Sequence, residues 1–229
     1  MIDPALVRAV APIAAATALV GASFGAIAVS TGFDPWLAIL MSLTVSSGGS
    51  QFVAVGVVAA GGAPIAAVVA GLVLNARHLP FGLAVGPWLG KRWSTRLLGS
   101  QIIFDESVAF ALAYRDKGNA RTAFWTAGLI LYSCWNIGTA VGVVAGEWIG
   151  DPNSFGVDAA FPAGILALLL PTLRDGQSRA VAALAAVLAL VATPLLPPGG
   201  PVLVALGGLA AAALPTPGRK KTGDEKVES

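Results

Sequence analysis

Residues Trp36–Ala60 read WLAILMSLTVSSGGSQFVAVGVVAA, twenty-five positions free of Asp, Glu, Lys and Arg, with Ser46-Ser47-Gly48-Gly49-Ser50 near the centre. A helix needs roughly 20 apolar residues to cross the hydrocarbon of a bilayer, so the stretch belongs in a membrane. Its break decides how. Unbroken, it would measure about 37 Å and cross; as a hairpin of two half-helices it would penetrate only about 15 Å and return to the side it came from.

The rest of the chain agrees with the membrane assignment. Hydrophobic residues make up 56% of the 229 positions and charged residues 11%, against roughly 25% charged in an average soluble domain. Too few charges remain to cover a soluble surface. A net charge of +2, one cysteine (Cys134) and one histidine (His78) exclude a disulfide scaffold and a zinc site built from several Cys or His ligands. Nucleic acid is not an expected partner, and no cofactor or metal is expected.

Four runs lack charged residues altogether: Ala9 to Ser30, Pro35 to Ala76, Thr122 to Gly146 and Ala180 to Gly218. They resolve into spans at Ala9 to Ser30, Ile65 to Trp88, Thr122 to Ala145 and Ala180 to Leu196, with a fifth at Gly156 to Leu173 and a short sixth at Val202 to Leu214. The first is read as a span and not a secretory signal, because its apolar run continues past the small residues Gly21 to Ser23. Residues 1–214 form a single transmembrane domain. Residues 215–229, Pro-rich and then basic, form a disordered cytoplasmic tail.

Two stretches leave alternatives open: Trp36 to Ala60 and Leu97 to Tyr114, the latter carrying Asp105 and Glu106. If both cross, the fold has eight crossings and Lys91, Arg92 and Arg96 fall outside, against the positive-inside rule. If both re-enter, the protein is an all-α polytopic bundle of six spans and two broken segments. Both termini and every Lys and Arg except Arg77 are then cytoplasmic. Re-entry is favoured for the first stretch. The second lacks Gly or Pro near Asp105 and is left open. Trp36, Trp88, Trp93, Trp125 and Trp148 sit near segment ends, where amphipathic rings prefer headgroups; Trp135, mid-segment, is assigned to packing between helices.

Ionisable groups at membrane depth cost about 2.5 to 3.5 kcal/mol each on insertion scales, so they face cavities, partners or one another. Three clusters qualify: Asn75-Ala76-Arg77-His78, Asp105-Glu106-Ser107, and the Ser46 to Gln51 break. A half-helix beginning near Gln51 would aim backbone donors at the membrane centre, as discontinuous helices of transporters do. With a cation at Arg77, an acid at Asp105 or Glu106 and aliphatic walls, the pocket would complement a zwitterion with an apolar side chain.

These motifs resemble the AzlC-like branched-chain amino acid exporters. The resemblance runs through Ser23-Phe24-Gly25, Gly48-Gly49-Ser50-Gln51-Phe52, Leu74-Asn75-Ala76-Arg77-His78-Leu79, Asp105-Glu106-Ser107 and Val157-Asp158-Ala159-Ala160-Phe161-Pro162-Ala163, in that order. It implies export of valine, leucine and isoleucine across the bacterial inner membrane with a small AzlD-type membrane subunit. Proton-motive force is the expected driver, since no nucleotide-binding motif is present.

The expected substrate contacts are Gly49, Ser50, Gln51, Asn75 and Arg77; His78, Asp105 and Glu106 are candidates for proton coupling or an ion pair. Each also has a structural role open to it. Arg77 can pair with an acid, His78 can pack between helices, Ser50 and Gln51 can cap half-helices, and Asp158 can be a helix-start acid. Adjacent Asp105 and Glu106 point about 100° apart, so one is expected to face a cavity. The recurrence of Gly-Ser-Gln at Gly49-Ser50-Gln51 and Gly99-Ser100-Gln101 is treated as chance. A passive channel for a small neutral solute is the rival function. An intramembrane hydrolase using Ser50 and His78 lacks a second supporting motif, and no enzymatic activity is expected.

Overall fold

The computed structural model describes residues 3–149, 170, 173, 176–196, 200–205 and 207–209, and every regular element among them is a helix. The chain divides into two compact units, Met1–Ile165 and Leu166–Ser229. The first holds α1 (Pro4–Ser30), α2 (Pro35–Thr44), α3 (Gly48–Ala59), α4 (Pro64–Asn75), α5 (His78–Leu89), α6 (Trp93–Gln101), α7 (Asp105–Ala113) and α8 (Ala120–Ile149). The second holds α9 (Gly176–Ala192), which covers most of the expected Ala180 to Leu196 span, and α10 (Gly200–Ala205). The expected Gly156 to Leu173 span, including Asp158, lies almost wholly outside the described residues. So do the tail and the end of the Val202 to Leu214 segment.

Two helices are long and apolar enough to cross a bilayer outright: Pro4–Ser30 and Ala120–Trp148. They pack along their lengths with residue numbers rising together, and so run parallel. Leu6, Val10 and Ala14 cluster with Ala123, Ala127 and Leu131 near their N-terminal ends. Farther along, Gly138, Gly142 and Gly146 lie on the backbone of Ala18, Ala22 and Ala26, while Gly21 and Gly25 lie on the backbone around Trp135 and Thr139. Added methyl groups would collide with opposing carbonyls at most of these positions. This is the small-residue stripe that lets helices approach closely in lipid, where apolar side chains gain nothing from leaving solvent.

Between these spans the chain makes two hairpins. Asp34 starts α2 by accepting from the Trp36 amide at 2.8 Å, with Pro35 at the first helical position. Ala38, early in α2, packs with Ile27, Ala28 and Val143; Ser42 reaches Asn136 and Thr139; the Leu43 carbonyl reaches Tyr132. Thus α2 runs against the direction of α8 toward its middle. After Val45–Ser47 the chain turns back: Gly48 and Gln51 meet Trp135, Phe52 meets Phe24, and Val55 rejoins the cluster that contains Ala38. The second hairpin mirrors the first from the other end. Gly99 of α6 packs beside Leu89 and Trp125, Ile102 lies against Gly128, and α7 returns so that Phe110 and Tyr114 pack on the cluster of Leu6, Val10 and Ala123.

The Ile65 to Trp88 span consists of two helices, Pro64–Asn75 and His78–Leu89, which together are long and apolar enough to cross and are bent by 53° about Ala76–Arg77. Pro80 accounts for the interruption. It has no N–H to offer the Ala76 carbonyl, and its ring would clash with that carbonyl in a continuous helix. The first hairpin's unwound residues are Val45–Ser47, with helix resuming at Gly48, three positions before the expected start at Gln51. The second stretch, left open on sequence, breaks at Ile102–Phe104 without Gly or Pro.

Charges sort along the α1–α8 axis. Arg8, Lys91, Arg92, Arg96, Arg115, Lys117 and Arg121 gather where α1 and α8 begin, together with the acids Asp3 and Asp116; Asp34 and Glu147, with no described cation beside them, stand at the opposite end; Arg77 lies between. Tryptophans form two matching belts. Trp36 and Trp148 are exposed at one end, while Trp93 is exposed at the other beside Trp88 and Trp125, whose indole N–H points at the Trp88 carbonyl. Trp135 takes the packing role expected of it, stacked on Phe24 with its ring centroid 6.0 Å away.

A cavity where three helix breaks meet

Interrupting a helix frees backbone groups that lipid cannot satisfy. Here side chains take up the exposed carbonyl ends. The Leu43 carbonyl accepts from Gln101 Nε2 at 2.8 Å and from the Tyr132 hydroxyl at 2.9 Å; in return Ser46 Oγ donates to the Gln101 carbonyl. The two hairpin tips are therefore bonded to each other. Within the first tip, Gln51 is fully buried and spans the hairpin: Nε2 donates to the Met41 and Val45 carbonyls, and Oε1 accepts from Trp135 Nε1 at 3.2 Å. In the second, Ser107 does comparable work, accepting from the Phe104 amide at 2.9 Å and lying 2.9 Å from the Ile102 carbonyl.

The third break joins them through Ser50. Its hydroxyl lies 3.0 Å from Ser47 Oγ and donates to Asn75 Oδ1 at 2.5 Å, just before α4 gives way to α5. His78 Nδ1 lies 3.2 Å from the Asn75 carbonyl. A carbonyl only accepts, so Nδ1 carries the hydrogen in this bond and Nε2 is the ring's basic atom.

A cavity of about 780 Å³ opens where the three breaks converge. That is within the range of small-molecule pockets. The first tip contributes Thr44, Val45, Ser46 and Ser47; the second contributes Ser100, Gln101 and Ile103; the third break contributes Asn75, His78, Leu79, Gly82 and Leu83. Hydroxyls, amides and one imidazole thus face aliphatic side chains. His78 is the sole titratable side chain on this lining, and none of the lining residues is Asp, Glu, Lys or Arg.

Of the residues singled out on sequence, Asn75 and His78 line the cavity. Ser50 lies directly behind it, bonded to Ser47 and Asn75, and Gln51 is occupied by the internal bonds just described. Gly49 faces Leu74 of α4, which a methyl group at that position would meet at 3.2 Å. Arg77 and Asp105 pair with each other at 3.4 Å, the only ion pair among the described residues, with 43% and 47% of their side chains exposed. Glu106 is exposed beside them. These three charged groups lie next to the third break and the start of α7, off the cavity lining. The Ser50 hydroxyl meets Ser47 and Asn75, whereas His78 meets Asn75 and the edge of Phe81.

Sequence reading did not single out Thr44, Ser100 or Gln101 as site residues, nor the buried group in which Ser42 Oγ lies 2.8 Å from Asn136 Oδ1 and 3.1 Å from Thr139 Oγ1. A signal was present. Thr44 and Gln101 are each the last residue of a hairpin's first half-helix, polar positions at the edge of an apolar run.

Comparison with known proteins places the chain among membrane proteins. The AzlC family, described as AzlC protein, matches residues 12–149. The inner membrane protein YgaZ of Escherichia coli is 31% identical over 176 residues, covering 70% of this chain and 69% of that protein. An uncharacterized membrane protein of Archaeoglobus fulgidus is 32% identical over 177 residues, covering 74% and 75%. Another, from Helicobacter pylori, is 28% identical over 132 residues, and the match spans 58% of its length. No solved structure matches the chain significantly.

Proposed function

Because the chain belongs to the AzlC family, we propose that it is the large subunit of a secondary exporter of aliphatic amino acids in a bacterial inner membrane, working with a small AzlD-type membrane subunit. The observation that carries this reading is the convergence of three helix breaks on one cavity with mixed polar and aliphatic walls. Discontinuous helices presenting polar ends at mid-depth are a recurring way for transporters to hold small ionic solutes. Val45, Leu79, Leu83 and Ile103 suit a branched side chain. Ser46, Ser47, Ser100, Asn75 and His78 supply donors and acceptors for its ammonium and carboxylate. Arg77 and Asp105, paired nearby, set the field around the site and are not carriers of the substrate's charges in this arrangement.

Proton-motive force drives export in this proposal, with His78 Nε2 as the group that gains and loses a proton. The basic end of the α1–α8 axis is cytoplasmic by the positive-inside rule. Both hairpins are then re-entrant, α2–α3 from the outer face and α6–α7 from the inner, and α4–α5 crosses as a bent span.

Cells preloaded with labelled leucine and expressing the chain with an AzlD-type subunit should export it uphill, and a proton uncoupler should abolish the gradient. Uphill export that survives the uncoupler would refute the energetics; absence of leucine and valine flux with a folded, assembled protein would refute the substrate. The contact between hairpin tips also supports a second reading, a passive channel. A channel equilibrates labelled leucine without ever concentrating it, and the same assay separates the two.

A further inference from the structure

The two hairpins are built to one plan. Trp36 and Trp93 stand exposed in their first turns, Thr44 and Gln101 end their first half-helices, and Ser50 and Ser107 are buried third residues of their second half-helices. Each pair is 57 residues apart, as are the unwound segments Val45–Ser47 and Ile102–Phe104. The Gly-Ser-Gln triplets do not share this register. One opens α3 and the other closes α6, so their recurrence is no repeat.

The same plan extends to the spans. Each hairpin follows a span, α1 in the first case and α4–α5 in the second, and packs its second half-helix against the span that comes next, α4 or α8. The orientation is reversed. The first hairpin opens at the end of α8 where Glu147 and Trp148 lie, and the second where Arg121 and Trp125 lie. The two units nevertheless have different shapes: α1 is continuous, whereas α4–α5 is bent by 53°.

We propose that residues 4–59 and 64–113 are inverted copies of one span-plus-hairpin unit, and that the cavity opens to the two membrane faces in turn as the two hairpin tips part and rejoin, the spans keeping their own shapes. The contact that must break is the junction of Ser46, Gln101 and the Leu43 carbonyl, which ties one copy to the other. Two oppositely oriented hairpins that meet at one site place equivalent half-helices on its two sides, so withdrawal of either tip opens a different face. Gln101 is a positioning residue here, acting through the tip it holds. The inference rests on the transporter reading but not on the identity of its substrate.

The test uses the full chain with Cys134→Ser and one reporter, Ser100→Cys, on the cavity wall. An impermeant thiosulfonate is applied to right-side-out and inverted vesicles. Labelling is expected in both orientations, and Gln101→Leu should change the ratio of the two rates several-fold by loosening the junction. Tyr132→Phe, which removes the other donor to Leu43, should shift the ratio in the same sense and serves if the first variant folds poorly. Labelling from one orientation alone, or a ratio indifferent to both variants, overturns the proposal. Separately, Thr44→Cys with Gln101→Cys, bridged by a short bifunctional thiosulfonate, should stop labelled-leucine flux until a reductant is added; undiminished flux through the bridged protein overturns it too. Two-sided labelling that responds to the variants, without leucine flux in the unsubstituted protein, would sink the amino acid assignment and leave the inverted repeat standing.

Discussion

The two hairpin tips reach the same geometry by different chemistry. The first is rich in Ser and Gly and is held from inside by Gln51, with Trp135 sealing it; the second uses Ile102-Ile103-Phe104 and is held by Ser107, with Asp105 and Glu106 in its first helical turn. None of the unwound positions for which dihedrals decide the break needs a glycine: Val45, Ser47, Ile102 and Phe104 all have negative φ. At these breaks freed carbonyls meet either a nearby backbone N–H, as Val45 meets Ser47 and Ser100 meets Ile103, or a side chain of Gln, Ser or Tyr, as at Leu43 and Gln101. Glycine serves another purpose. A methyl group on Gly48 would stand 2.5 Å from the Trp135 ring, so its missing side chain admits the indole.

That contrast predicts unequal sensitivities. Gly48→Leu should be the most damaging change, because the ring and the helix it belongs to have nowhere to move. A loss of about 3 kcal/mol or more is expected, read as a fall in thermal unfolding temperature of the purified protein, whereas Asp105→Leu at the corresponding position of the second tip should cost far less. Equal losses would erase the distinction. Next, Gln51→Leu leaves the buried Trp135 indole N–H without its acceptor and strips the Met41 and Val45 carbonyls of a second donor, while their backbone bonds from Val45 and Ser47 remain; this should cost about 2 kcal/mol. Val108→Leu, the register equivalent, should cost about 1 kcal/mol from overpacking alone.

Ser107→Ala should come third, at about 1 kcal/mol for a lost helix-start bond, with the second tip loosening before the first in hydrogen exchange. Smallest in stability is Arg77→Ala. A half-exposed pair contributes about 1 kcal/mol or less, yet transport should fall at least tenfold if the pair sets the field of the site. A stability loss as large as that of Gln51→Leu, with expression failing, would show the pair to be a structural strut.

What was legible in the sequence follows the same physics. Uncharged runs and the distribution of Lys and Arg gave the helical class and the segregation of charge because lipid imposes both one residue at a time. The first tip was legible through its Ser and Gly residues, but the start of α3 was placed three residues late, since the glycines there were taken for the break when they are helical. The second tip was hidden because extended dihedrals suit Ile and Phe as well as any residue. The bend at Arg77 was missed although Pro80 stood in view. At the site, Asn75 and His78 were legible as polar groups in apolar surroundings; Gln101 was not, because its importance lies in a carbonyl fifty-eight residues away.

The parallel packing of α1 and α8 carries a topological consequence. Two spans pointing the same way must be separated by an odd number of passages through the bilayer. With α4–α5 as one passage, the hairpins must both turn back or both go through. Were one alone to become a passage, α8 would arrive upside down and the glycine seam with α1 could not close. The seam is thus a parity check on the whole intervening chain, satisfied only when the two tips agree.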